Sequence, residues 1–127
     1  MGQYGQAAIL AVNIYRNSQG LSPAQAWDQA LQNLGISDKP CPRTAFWGLA
    51  ENGNIQGIPP GNYLTRNTSS NKFNAIAVRN LIFNTQPPQI PNLPKKMVWS
   101  QITRQNNTSD QGVLDVVYTL FQNGLLR

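Results

Sequence analysis

The sequence predicts a mostly α fold in which two pseudo-repeated three-helix units, residues 1–66 and 67–127, pack as one compact body, with a small β-hairpin or ordered loop after the third helix. Three observations predict it. Apolar residues recur at helical spacing in six stretches. Between these stretches stand the residue types that begin and end helices: Ser-Pro, Asn-Gly and clusters of proline. The features of the first half also return, in order, in the second.

From Tyr4 to Tyr15 the chain is apolar almost all round, with Gln6, Asn13 and Arg16 leaving a thin polar edge, which is the pattern of a buried helix. Asn17-Ser18-Gln19-Gly20 breaks it. Ser22-Pro23-Ala24-Gln25 is a helix start in which serine caps, proline suits the first turn and glutamine completes a capping box. Ala26, Trp27, Ala30, Leu31 and Leu34 then follow at helical spacing, and Gly35 ends the run. A third helix begins near Pro42, carries Ala45, Phe46, Leu49 and Ala50 on one side, and stops at Asn52-Gly53. Ile55 and Ile58, the turn residues Pro59-Pro60-Gly61-Asn62, and Tyr63-Leu64-Thr65 form the expected hairpin or ordered loop.

The second half opens with Phe73, Ala75, Ile76, Ala77, Val78, Leu81, Ile82 and Phe83, again a mostly apolar helix. Prolines 87, 88, 91 and 94 force an extended connection. Lys95 to Arg104 holds the apolar residues Met97, Val98, Trp99 and Ile102. A last helix is expected to start at Ser109-Asp110, run through Val113, Leu114, Val116, Val117, Leu120 and Phe121, and close at Asn123-Gly124. Side by side, Ala11-Val12 matches Ala77-Val78, Ala26-Trp27-Asp28-Gln29 matches Val98-Trp99-Ser100-Gln101, and Phe46-Trp47-Gly48-Leu49 matches Val117-Tyr118-Thr119-Leu120. The offsets of 66, 72 and 71 residues place the insertions in loops, where a duplication varies. Convergence on ordinary packing residues is the rival explanation.

Apolar residues make up 40% of the 127, enough for a core and too many for a disordered chain. Ten basic residues face five acidic ones, and no block of like charges forms a tail, so a polyanionic partner is allowed without being demanded. Cys41 is the single cysteine, which fits a reducing, cytoplasmic setting. The apolar run Ala7 to Val12 is far below the roughly 20 residues that span a bilayer, and no membrane association is expected.

Enzyme readings lose first. With no histidine there is no His-based nucleophile activation and no His-containing metal site, and one cysteine makes no thiolate cage. Asp28, Asp38, Glu51, Asp110 and Asp115 are scattered. No catalytic residue, no metal site and no cofactor is expected. Cys41 precedes a helix beside Lys39 and Arg43, a setting that favours a thiolate, but a small residue filling the start of the helix is the plainer reading.

The order helix, turn, helix, hairpin over residues 22–65 is that of a winged helix-turn-helix, and A-F-W-G-L-A-E-N-G-N-I at Ala45 to Ile55 resembles a junction between recognition helix and wing. That resemblance implies DNA as partner, with Arg43, Thr44 and Trp47 facing the major groove and Arg66, Lys72, Arg79, Lys95, Lys96 and Arg104 meeting phosphates. The third helix is poor in base-reading side chains, which weighs against it. The alternative is a protein–protein adaptor that uses an exposed aromatic patch at Trp47 and Tyr118, unless both join the core. Four motifs, Y-G-Q-A-A at Tyr4 to Ala8, S-P-A-Q-A-W at Ser22 to Trp27, C-P-R-T-A-F-W-G-L at Cys41 to Leu49 and I-P-P-G-N-Y at Ile58 to Tyr63, resemble a family of small uncharacterised bacterial proteins classed as a domain of unknown function. It brings no activity, ligand or catalytic residue with it.

Overall fold

In the computed structural model, which describes residues 2–63, 70–105 and 109–127, six helices succeed one another: α1 (Gln3–Asn17), α2 (Pro23–Leu34), α3 (Pro40–Glu51), α4 (Ser70–Phe83), α5 (Lys95–Thr103) and α6 (Val113–Gln122). Their starts and stops obey the local chemistry. At α2 the Ser22 hydroxyl accepts from the Gln25 amide at 3.1 Å, and the Gln25 side chain accepts from the Ser22 amide at 2.9 Å, closing the capping box. Gly35 turns left-handed at its end. α3 and α6 finish alike, with Gly53 and Gly124 at φ of +82° and +70°. Just past each of these glycines an amide bonds back to a carbonyl in the last helical turn, Asn54 to Leu49 at 2.8 Å and Leu125 to Leu120 at 2.9 Å. α6 starts later than Ser109-Asp110 suggests because Gly112 sits at φ +91°, and the Asp110 carboxylate instead accepts from the Leu114 amide at 2.9 Å.

α1 lies against α2 and α6, α4 lies against α3 and α5, and α3 and α6 meet between them. Within the first half α1 packs on α2 and α2 touches α3, and both α1 and α3 also reach into the second half, α1 against α6 and α3 against α4 and α6. Trp27 and Phe46, both fully buried, stack at 5.1 Å between ring centres and tie α2 to α3. Leu49, Ile55, Ile58, Ile82, Leu114 and Leu120 complete the centre. Two helix crossings are close enough to require glycine. A Cβ on Gly5 would run into Thr119 Oγ1 and the Asp115 carboxylate of α6, and one on Gly48 would come within 2.9 Å of the Lys72 Cα of α4.

Among the described residues no hairpin and no strand forms after α3; Leu64 and Thr65, its expected return, lie outside them. The backbone partners come from elsewhere. Ile55 makes an isolated antiparallel bridge to Leu126, with the Gln56 amide donating to the Leu125 carbonyl at 2.7 Å and the Arg127 amide to the Asn54 carbonyl at 2.8 Å. Residues 53–63 form an ordered loop pinned by Glu51, whose carboxylate accepts from the Tyr63 amide at 2.8 Å and pairs with Lys72. A free wing in the winged-helix sense is absent from the described residues, since the chain's last residues hold this segment down.

Candidate nucleic-acid interface

The nine residues that the winged-helix resemblance brings forward fall into separate settings. Arg43, in the first turn of α3, pairs with Asp38 at 2.5 Å and lies 5.5 Å from the Trp47 ring centre. Asp28 shares this corner. Its carboxyl is pushed above the ordinary value, first by partial burial and then by the Asp38 charge, with Arg43 acting in the opposite direction. Thr44 and Trp47 are half-buried. Every residue from 41 to 51 is buried or half-buried, so α3 has no free face that would enter a groove about 12 Å wide. Tyr118 is buried at 8% exposure, which removes it from any exposed aromatic patch, because α6 is enclosed by α1, α3 and α4.

Lys72 and Arg79 stand on α4. Lys72 pairs with Glu51 and has its Nζ 5.8 Å from the Phe73 ring centre. Arg79 covers the Phe83 ring at 4.3 Å and donates from Nε to the Arg127 carbonyl oxygen at 3.0 Å. Lys95 and Lys96 are exposed in the first turn of α5, with Lys95 Nζ 5.9 Å from the Tyr118 ring centre. Arg104, exposed, caps the other end of α5 in the left-handed conformation at φ +57°. Arg66 lies outside the described residues. Among the described residues, Lys95, Lys96 and Arg104 form no ion pair.

α4 and α5 pack together and share one property with the loops around them: no Asp or Glu occurs between Glu51 and Asp110, while Arg66, Lys72, Arg79, Lys95, Lys96 and Arg104 all do. That stretch carries six positive charges, and the remainder, with four basic and five acidic residues, carries a net charge of −1. The whole positive balance of the chain therefore falls in the stretch of sequence that contains α4 and α5.

Beside this layer is an open cleft of about 290 Å³, with Ser70, Asn71 and Asn74 of α4 on one side and Trp99, Thr103 and Gln105 on the other. Phe73, in the same turn as Asn74, is 67% exposed. The apolar pattern of residues 73–83 assigns this ring to the core; the helix phase puts Ala75, Val78 and Ile82 inward instead and leaves Phe73 outside. No periodicity signal singles it out. Leu93 and Met97, at 42% and 50%, flank the exposed lysines.

Cys41 is half-buried. Among the described residues no three His, Cys, Asp or Glu side chains gather as metal ligands, and no helix is long and apolar enough to cross a membrane. The profile of a family described as Family of unknown function (DUF6979) matches residues 1–127. Neither a curated protein nor a solved structure matches the chain.

Proposed function

The chain belongs to the DUF6979 family of unknown function, and from that premise we propose that it is a non-enzymatic binding protein whose partner is nucleic acid, DNA first, held through its phosphates by the α4–α5 layer. The carrying observation is the charge partition. Six basic residues and no acid fall in one stretch of chain that includes two helices in mutual contact, and three of those residues are exposed without an acidic partner among the described residues. Phosphate backbones are recognised by such surfaces whatever the base sequence. The winged-helix route through α3 contributes little to this reading, since that helix is enclosed.

An internal duplication fits the same picture. α3 and α6, the counterparts in the repeat, end in the same glycine-stopped turn, and Ile55 bridges to Leu126, its own counterpart, as a local two-fold axis requires. The packing of α1 on α6 is likewise mirrored by that of α4 on α3. Of the two copies only the second has its first two helices free of acids, since α2 carries Asp28.

A protein-binding adaptor is the second reading, favoured by the exposed side chains Leu93, Met97 and Phe73. Titration of labelled duplex and single-stranded DNA at low salt separates the two. Nucleic-acid binding is expected, with log affinity falling linearly against log salt, and the double variant Lys95→Glu/Lys96→Glu should make that slope shallower by about two. No binding at about 50 mM salt, or an unchanged slope in the variant, defeats the phosphate reading and leaves the adaptor.

A further inference from the structure

We propose that the nucleic acid is single-stranded and that Phe73 is a platform on which one of its bases stacks. This rests on the phosphate-binding reading and goes on to name the form of the partner.

Three observations meet at the start of α4. Phe73 is 67% exposed, whereas Ala75, Val78 and Ile82 of the same helix are buried in the core. The ring has a cation at its side, with Lys72 Nζ 5.8 Å from its centre, and Lys72 is already held in place by Glu51. The cleft that the next residue, Asn74, helps to wall, about 290 Å³, is also lined by Ser70 and Gln105, whose amides and hydroxyl are donors and acceptors of the kind that reads base edges, with Trp99 among them. Arg104, exposed next to Gln105, adds a positive charge on the α5 side.

A duplex keeps its base faces stacked and its pairing edges occupied, so it has nothing to offer an outward ring and an amide-lined cleft. A single strand offers both, and proteins that hold single strands combine positive charge for the backbone with aromatic rings for the bases. The recognition of a duplex by a protruding helix has no counterpart here, because α3 is enclosed. An acidic protein segment would satisfy the charges and leave ring and cleft unused.

Fluorescence anisotropy with the intact chain tests this, using a fluorescein-labelled oligothymidylate of about 20 nucleotides and a duplex of equal length at low salt. The single strand should bind about tenfold or more tightly than the duplex, Phe73→Ala should weaken single-strand binding about 5- to 100-fold while leaving duplex binding unchanged, and Phe73→Trp should keep the affinity and show quenched emission on binding. Because Phe73 is exposed, both variants should match the parent in helix content and melting temperature. Equal affinity for the two nucleic acids with no effect of Phe73→Ala overturns this inference while leaving phosphate binding in place. Binding of neither overturns both, as does displacement of the single strand by polyglutamate at equal charge concentration.

Discussion

Asp115 illustrates how far a residue's work is from its neighbourhood in sequence. Its carboxylate, on α6, accepts from the amides of Gly2 at 3.0 Å and Gly5 at 2.7 Å, so it supplies the N-terminal cap that α1 lacks locally. Nothing in the local pattern marks this role; the partner amides are more than a hundred residues away, and the glycine that allows the approach reads only as a small residue in an apolar run. Tyr118 is the opposite case, a residue whose burial is one of the two readings open in the sequence. Its hydroxyl has no hydrogen-bond partner among the described residues, and burial, aided by Asp110, holds its pKa above the ordinary tyrosine value of 10.0. A proton held more tightly in the folded state contributes stability that is complete below the unfolded value and is lost as pH rises through the folded one. Urea titrations should therefore show stability declining above about pH 10. Tyr118→Phe should flatten that decline and stay within about 1 kcal/mol of the parent at neutral pH, because no bond among the described residues is lost with the hydroxyl.

At the scale of elements, the starts and stops are the most legible part of the chain. Ser22 to Gln25 spells its own capping box, and Asn52-Gly53 and Asn123-Gly124 spell helix ends, because those motifs depend on backbone geometry within a few residues. The residues just beyond the stops are not legible. Ile55 and Leu126 each read as an apolar residue beyond a turn, and their mutual bridge depends on how α3 and α6 are set side by side. The two stops are chemically alike and sterically different. A Cβ at Gly124 meets open space, so Gly124→Ala should cost the left-handed backbone alone, about 1–2 kcal/mol. At Gly53 the added methyl also presses on Pro60 at 3.3 Å, and Gly53→Ala should cost more than Gly124→Ala, by roughly 1 kcal/mol, in paired chemical denaturations.

For the whole molecule, six helices and a mostly α fold are legible from periodicity, while the contacts of α1 with α6 and of α3 with α4, between the two halves of the chain, are not. Hydrophobic spacing says which face of a helix is buried and is silent about which other helix covers it. The candidate site suffers the same limit. Basic residues are visible one by one in the sequence, but only the packing of α4 on α5 brings the helix of Lys72 and Arg79 against that of Lys95 and Lys96, and only the helix phase turns Phe73 outward.

The crossed packing of α1 on α6 and of α3 on α4 has a consequence for how the chain comes together. A polypeptide ending at residue 63 leaves α1 and α3 without their covers, and one beginning at residue 70 leaves α4 and α6 in the same state. Each piece alone should show little helix by circular dichroism, and an equimolar mixture should regain most of the parent signal in a concentration-dependent way, a fragment complementation that independent halves would not show. Two intact chains have the same option. Exchange of halves across a pair reproduces every helix contact of the monomer, so a swapped dimer is the misassembly to which this architecture is prone at high concentration.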